Sequence, residues 1–189
     1  MKLHRGPVSY AFIDSQNLNL GVQKYGWKMD WRKFRQFLAS RYNVTQAYMF
    51  IGYVPEFEPL YDQMHEAGYM VVLKPTFDVT RPQEDNSNKE TGGEPRSENS
   101  EEKKPVKGNI DADLVLWAMK EINNYDKAVI VSDDGDFYSL AEYLASKRKL
   151  LKLLTPTQHY SNLYNAFEPY IEQVWRFKNE LAYYDHKRH

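Results

Sequence analysis

Apolar runs with the composition of strands alternate with helical segments along most of this 189-residue chain. Strands that alternate with helices indicate a parallel sheet with right-handed crossovers and helices on both faces. We therefore predict an α/β fold, a three-layer sandwich with a mostly parallel five-stranded sheet in the strand order 3-2-1-4-5. The predicted strands cover residues 8–13, 46–53, 69–74, 128–132 and 150–154. Helices are predicted from residue 31, with Asp30 as N-cap, at 58–67, 112–123 and 137–146, from 161 to about 170, and again near the end.

A polar segment interrupts this alternation between residues 83 and 107. It has no aromatic side chain and one aliphatic side chain, that of Val106. Such a segment cannot bury enough apolar surface to offset the entropy of ordering. We therefore predict a single domain over residues 1–189 with a disordered insertion at about 83–107. An interaction segment is the alternative for the same residues.

The composition favours a folded, cytoplasmic protein. Hydrophobic residues make up 42% of the chain and aromatic residues 15%, which is enough for a sizeable core. The absence of cysteine excludes disulfide scaffolds, cysteine-based zinc sites and a thiol nucleophile. The N-terminal sequence MKLHRGPVSYAFID has no long apolar run, so we expect neither a secretory signal nor a membrane span.

The net charge of −1 conceals a strong segregation of charge along the chain. Residues 108–146 carry eight acids against two lysines, whereas residues 1–50 carry eight Lys or Arg against two acids. Residues 147–189 are basic as well, with eight Lys or Arg against four acids. If the fold brings the basic ends beside the acidic block, the result is a cluster of carboxylates rimmed by positive charge.

Polar and acidic side chains follow the first and fourth predicted strands and open the helix between them. In an open α/β sheet the ligand site lies beyond the carboxyl ends of the strands, where the strand order reverses. Carboxylates that converge there repel one another, and a hard divalent cation relieves that repulsion. The pattern therefore favours phosphodiester hydrolysis with Mg²⁺ or Mn²⁺. The residues in these positions are Asp14, Asn17, Asp111, Asp113, Ser132, Asp133, Asp134 and Asp136.

Capping is the alternative role for these aspartates, because Asp is common in turns and at helix starts. Capping alone explains Asp111 or Asp136, but not the coincidence of acids in three loops. Asp111 and Asp113 lie two residues apart and would point to different sides of a helix. Both carboxylates can face one site only if Asp111 lies at or before the N-cap of the helix.

Three blocks of the sequence resemble the NYN domain, the LabA-like branch of the PIN-like nucleases. They are FIDSQNL (residues 12–18), KGNIDADL (107–114) and VSDDGDF (131–137), in the order found in that family. The resemblance implies a PIN-like fold and metal-dependent (endo)ribonuclease activity on single-stranded or loop RNA. It implies that Asp14, Asp111, Asp134 and Asp136 are the catalytic, metal-binding acids and that Asn17 supports the first of them.

Two positions depart from the pattern of this family. Some relatives carry a further acid where Trp117 stands, and Asp113, one helical turn earlier, is a candidate metal ligand in its place. Many relatives have a small residue where this chain has Asp133. Asp133 either adds charge to the site or faces solvent, and we expect solvent.

Basic residues are candidates for binding the RNA phosphates. Lys28, Arg32 and Arg35 have the spacing of one helical stripe, for which a plain solvated face is the alternative. Lys107 precedes the acidic helix and is a further candidate for substrate binding, as are Asn17 and Ser132 beside the acids. The C-terminal residues mix aromatic and basic side chains, as single-strand binders do, but a frayed tail explains them as well.

Two functions from different classes fit this sequence. The first is the metal-dependent ribonuclease. The second is a PIN-like RNA-binding or regulatory module with weak or no catalysis, since a fold does not establish an activity. A phosphatase with an aspartyl nucleophile fits less well, because Ser15 and Gln16 follow Asp14 where an Asp-x-Asp motif is usual. The sequence leaves a homodimer open.

The insertion should be dispensable for folding. Deleting Glu84 to Lys104 and bridging the gap with a short Gly/Ser linker should leave the melting temperature nearly unchanged, because the segment has almost no apolar side chains to contribute to a core. Circular dichroism melting of the two proteins tests this, and a large loss of stability would show that the segment packs.

Overall fold

The computed structural model describes residues 6–75 and 110–184, and the predicted insertion lies outside these ranges. The strands of these residues form one six-stranded sheet, in which every neighbouring pair is parallel. They are β1 (Ser9–Asp14), β2 (Val44–Tyr53), β3 (Met70–Pro75), β4 (Lys127–Val131), β5 (Leu150–Thr155) and β6 (Ile171–Gln173). The order is β3-β2-β1-β4-β5-β6, which confirms the predicted order of the first five strands. The sixth strand has three residues, too few to show a periodicity.

The helices cover both faces of the sheet. They are α1 (Ser15–Lys24), α2 (Trp31–Tyr42), α3 (Glu58–Glu66), α4 (Ile110–Lys120), α5 (Tyr138–Ser146) and α6 (Lys178–Leu181). Asp30 caps α2 as predicted, because its carboxylate accepts from the backbone N–H groups of Arg32 and Lys33. The predicted helix at 161–170 is instead a run of 3₁₀ turns over Asn162–Tyr170, with Pro169 inside it. No helix within the described ranges is long and apolar enough to cross a membrane.

Helix α1 follows β1 directly, where sequence analysis expected a loop. Its sequence SQNLNLGVQK contains Ser15, two Asn residues and Gly21, residue types with low or middling helix propensity. Tertiary packing overrides that preference, since Leu18 and Val22 are fully buried. Gly21 allows a close approach, because a Cβ at this position would lie 2.3 Å from the Cβ of Pro156. This contact fixes α1 against the segment that follows β5.

The central strands separate two hydrophobic clusters, one on each face of the sheet. Successive strand residues point to opposite faces. In β1, Ala11 and Ile13 accordingly pack in a cluster with residues of α1, α2 and α6, whereas Phe12 packs with residues of α4 and α5. All three side chains are fully buried. The three predicted layers are thus helices, sheet and helices, and polar groups can lie together only where strands end.

Arg35 ties α2 to the start of the sheet. Its guanidinium donates hydrogen bonds to the backbone carbonyls of Gly68 (3.0 Å), Val44 (3.1 Å) and Thr45 (3.0 Å). Val44 and Thr45 open β2, so Arg35 lies at the amino end of the strands. Three charge-assisted bonds from one partly buried side chain give this residue a structural role.

We expect Arg35→Ala to lower the free energy of unfolding by about 2 kcal/mol, because three carbonyls lose a charged donor. Arg32→Ala is the matched control, since this neighbour is largely exposed and forms one ion pair with Glu66. It should change the free energy by less than about 0.5 kcal/mol. Urea unfolding of the three proteins measures both values. Equal effects of the two substitutions would contradict the structural role of Arg35.

Candidate functional site

Asp14 ends β1 and lies in the middle of the carboxyl edge of the sheet. Its side chain accepts from the backbone N–H of Asn17 at 3.0 Å and so caps α1. Residues Ile13 and Val131 are register partners in β1 and β4, so the next residues, Asp14 and Ser132, also meet. The Ser132 hydroxyl donates to the Asp14 carboxylate at 3.4 Å. Asp14 is 8% exposed and Ser132 is fully buried, so the bottom of the site is closed to bulk water.

Asp133 is held by side chains from two other loops. The Asn17 side-chain amide donates to its carboxylate at 2.7 Å, and the Asp133 backbone N–H donates back to the Asn17 side-chain oxygen at 3.0 Å. The Thr157 hydroxyl donates to the other carboxylate oxygen at 2.8 Å. The expectation that Asp133 faces solvent is therefore wrong. Its carboxylate joins the loops that follow β1, β4 and β5.

Asp134 caps the 3₁₀ turn Gly135–Phe137, accepting from the Asp136 backbone N–H at 3.0 Å. Its own N–H donates to the Ser132 hydroxyl at 3.2 Å, and its carbonyl accepts from the Tyr164 hydroxyl at 2.5 Å. Asp136 is exposed at the rim. The cap proposed for Asp136 is thus made by Asp134, two residues earlier.

Tyr164 is buried beside four aspartates of the loops after β1 and β4, and both features affect the pKa of its phenol. Burial raises this pKa above its ordinary value, and the negative charges of nearby aspartates raise it further. The phenol therefore stays protonated over the whole neutral range and holds the backbone of Asp134. The contributing aspartates are Asp134, Asp133, Asp136 and Asp14.

The turn at Gly135 packs closely against the segment after β5. A Cβ at this glycine would lie 2.4 Å from the Ser161 hydroxyl oxygen. The Ser161 backbone N–H donates to the Asp133 carbonyl at 3.1 Å. Sequence analysis missed Thr157, Ser161 and Tyr164. Their position just beyond the carboxyl end of the fifth strand was the available signal, because ligand sites of parallel sheets lie at that edge.

Helix α4 carries Asp111 and Asp113. Both lie in its first turn, and α4 packs on β1 and β2. The Asp113 carboxylate pairs with Lys74 at the end of β3, with 2.9 Å between the charged atoms. Sequence analysis did not consider Lys74. The metal-binding roles of Asp111 and Asp113 stay predictions, and Lys107 lies outside the described residues.

Of the predicted basic stripe of Lys28, Arg32 and Arg35, only the two arginines lie on α2. Lys28 precedes the first residue of α2, so its placement on the helix was wrong. Arg32 is exposed and lies 3.2 Å from Glu66, whereas Arg35 binds carbonyls at the opposite edge of the sheet. Phosphate binding by these residues stays a prediction. Of the C-terminal aromatic and basic run, Tyr183 and Tyr184 are exposed, and residues 185–189 lie outside the described part.

The acidic edge is the carboxyl edge of β1 and β4, which carries Asp14, Asp133, Asp134 and Asp136. Its carboxylate oxygens are suitable ligands for a hard divalent cation. Across residues 6–75 and 110–184, no group of three or more His, Cys, Asp or Glu side chains is placed to hold a metal ion. Mg²⁺ characteristically takes one or two carboxylates and completes its shell with water and substrate phosphate. Asp14 and Asp134, on adjacent loops bridged by Ser132, offer carboxylates of this kind.

A groove of about 420 Å³ adjoins the acidic edge. The residues directly after Asp14, Ser15 and Gln16, line one end of it, together with Ile110 directly before Asp111. Its walls come from the start of α2, from the end of β2, from the segment between β2 and α3, and from α3 itself. The aromatic side chains among them are Trp31, Phe57 and Tyr61.

We expect Asn17→Ala to destabilise the protein by about 1–3 kcal/mol, because it removes two hydrogen bonds and leaves the half-buried Asp133 carboxylate with fewer donors. Asn19→Ala on the same helix is the matched control, since the Asn19 side chain makes one long contact of 3.3 Å with Gln23. Thermal unfolding compares the two variants. If Asn17→Ala melts like Asn19→Ala, the network around Asp133 contributes nothing to stability.

Comparison with known proteins agrees with this architecture. The NYN domain family model matches residues 10–172. Low amplitude and bright protein LabA of Synechococcus elongatus is 26% identical over 164 residues, which cover 85% of this chain and 81% of LabA. The crystal structure of a protein of unknown function, VPA0982 from Vibrio parahaemolyticus, superposes with a TM-score of 0.61 at 18% identity. That match covers 92% of this chain and 96% of the other, and it shows the fold alone.

These findings confirm the resemblance stated from three sequence blocks and the predicted PIN-like α/β fold. The NYN domain is part of the PIN-like nuclease superfamily, which indicates a ribonuclease-type function with RNA as the partner. The chain belongs to the NYN domain family.

Proposed function

We propose that this protein is a metal-dependent ribonuclease that hydrolyses phosphodiester bonds of single-stranded or loop RNA at the carboxyl edge of β1 and β4. The observation that carries the proposal is the Ser132 hydroxyl, which contacts the Asp14 carboxylate and the Asp134 backbone N–H at once. Together with the pairing of β1 and β4, this contact brings two acids of the matched motifs onto adjacent loops. A simple capping role would not require the two loops to be joined.

Asp14 and Asp134 would hold a Mg²⁺ or Mn²⁺ ion. Asp136, Asp111 and Asp113, which the described structure does not group with them for metal binding, would join as further ligands when the ion and the RNA bind. Such an ion supplies Lewis-acid stabilisation of the negative charge that develops on the phosphoryl group. The carboxylates are acceptor-only groups when ionised, so they also orient water beside a bound phosphate. Asp136 is exposed and can move toward either the ion or the RNA.

The surrounding residues position these acids. Asn17 and Thr157 hold Asp133, and thereby keep the loops after β1 and β4 in one arrangement. Tyr164 donates to the backbone of Asp134 from behind the turn. Reacting groups must be held within a fraction of an ångström of their productive geometry, so this network supports turnover without touching the RNA. We assign Asn17 and Ser132 to this role.

Positive charge for the RNA backbone is available next to the site. Lys28 and Arg32 flank Trp31 in the sequence, and Trp31 lines the groove that begins at Ser15. Lys28 is exposed, and Arg32 keeps 68% of its side-chain surface exposed despite its ion pair. Lys and Arg contacts with phosphate oxygens give affinity without sequence preference. These two residues therefore complement the acidic edge.

Asp134→Asn should lower the single-turnover rate of RNA cleavage by at least about 100-fold, because it removes a charge that holds the ion. Asn is as good a helix cap as Asp, so the turn at Gly135–Phe137 should keep its structure. RNA affinity should hold or rise, since one negative charge near the phosphates is gone. The measurement is cleavage of a labelled RNA set with Mg²⁺ or Mn²⁺, and binding of the same RNA with EDTA.

Asp62→Asn is the matched control, because Asp62 is an exposed acid on α3. It should cleave like the unmodified protein. Cleavage by Asp134→Asn at the unmodified rate would exclude the metal-nuclease assignment. RNA binding without metal-dependent cleavage by the unmodified protein would instead support the RNA-binding module.

A further inference from the structure

The proposed cleavage chemistry assigns no role to the groove beside the acidic edge. We propose that it is a nucleobase-binding subsite, which receives an unstacked base of the nucleotide next to the scissile phosphate. This inference rests on the proposed ribonuclease function, because it places the RNA backbone at Asp14 and Asp134. It adds a means of selecting single-stranded RNA.

Continuity with the acidic edge is the first argument. Ser15 and Gln16 line the groove and directly follow Asp14, and Ile110 lines it and directly precedes Asp111. A phosphate held at the carboxylates therefore lies at the mouth of the groove. The base attached to a neighbouring nucleotide can enter it only if it is unstacked, which single-stranded and loop RNA permit.

The walls of the groove supply the second argument. Phe57 and Leu60 are large apolar side chains that stay 53% and 37% exposed, and they lie in the wall with Trp31. Aromatic side chains on which bases stack are the general means of holding single strands, worth about 5- to 150-fold in affinity for each base. The groove volume of about 420 Å³ lies within the range of sites for small organic groups, roughly 300–1,000 Å³.

Polar side chains of α1 favour a nucleobase over an apolar peptide as the occupant of the groove. Gln16 and Asn19 line the groove, and their amides each offer both donors and an acceptor. Base edges need this mixture of donors and acceptors. Lys74 also lines the groove, where its ammonium group pairs with the Asp113 carboxylate. An apolar peptide would leave these groups unmatched.

The test compares two RNA oligonucleotides of equal length, one complete and one with abasic nucleotides throughout, so that both present the same phosphates. Fluorescence anisotropy with EDTA measures their affinities in the absence of cleavage. The variants are Phe57→Ala, Phe57→Tyr, which keeps an aromatic ring, and Tyr143→Ala. Tyr143 is a matched control because it is an exposed aromatic residue of α5, outside the groove.

Phe57→Ala should weaken binding of the complete oligonucleotide by about tenfold and leave binding of the abasic one unchanged. Phe57→Tyr should restore the affinity, and Tyr143→Ala should change neither. Equal affinities of Phe57→Ala and the unmodified protein for the complete oligonucleotide would overturn the inference and assign the groove to another occupant, such as a peptide. A loss of both affinities to the same extent would overturn it as well.

A cleavage assay on the same proteins separates this inference from the proposed function. Base-dependent binding without metal-dependent cleavage would uphold the subsite and exclude the nuclease. Metal-dependent cleavage with no difference between the complete and abasic oligonucleotides would uphold the nuclease and exclude the subsite. If the unmodified protein bound neither oligonucleotide, both proposals would fail.

Discussion

The carboxylate of Asp133 is the group on which the acidic edge depends. It accepts from Asn17, after β1, and from Thr157, after β5, while its own chain segment follows β4. Three loops that are far apart in sequence are thereby joined around one half-buried charge. A buried carboxylate needs hydrogen bonds from every side to offset the loss of hydration. The same requirement that stabilises Asp133 fixes the distance between the loops that carry Asp14 and Asp134.

The parallel sheet explains why so much charge can gather without breaking the core. Helices cover both faces, so the strand interiors hold apolar side chains such as Phe12 and Ile130, and polar side chains must lie at the ends. All strands of a parallel sheet end on one side, which concentrates the aspartates there. Burial raises the pKa of Tyr164, and the negative charge of these aspartates raises it further. That negative charge attracts cations and repels polyanions, so the proposed binding of RNA would depend on positive charge such as that of Lys28 and Arg32.

Much of the fold could be predicted from the sequence because it follows from local patterns. Hydrophobic periodicity predicted five strands and most of the helices. The rule that ligand sites lie beyond the carboxyl ends of parallel strands predicted that Asp14 and Asp134 lie at one edge. The pairing of Asn17 with Asp133 joins residues 116 positions apart and has no local signal. Thr157 and Tyr164 belong to no motif, and α1 has a composition that favours loops. Lys28 was misplaced because its spacing matched a helix that begins only at Trp31.

The close approach of Gly21 to Pro156 links the geometry of the site to a residue that has no side chain. Any side chain at position 21 would push α1 away from the segment after β5, since a single Cβ already lies within 3.2 Å of Thr157 and closer to Pro156. Asn17 is one turn earlier on the same helix. The size of two buried residues, at positions 21 and 156, therefore sets the spacing of the acidic loops, although neither residue supplies a group to the site.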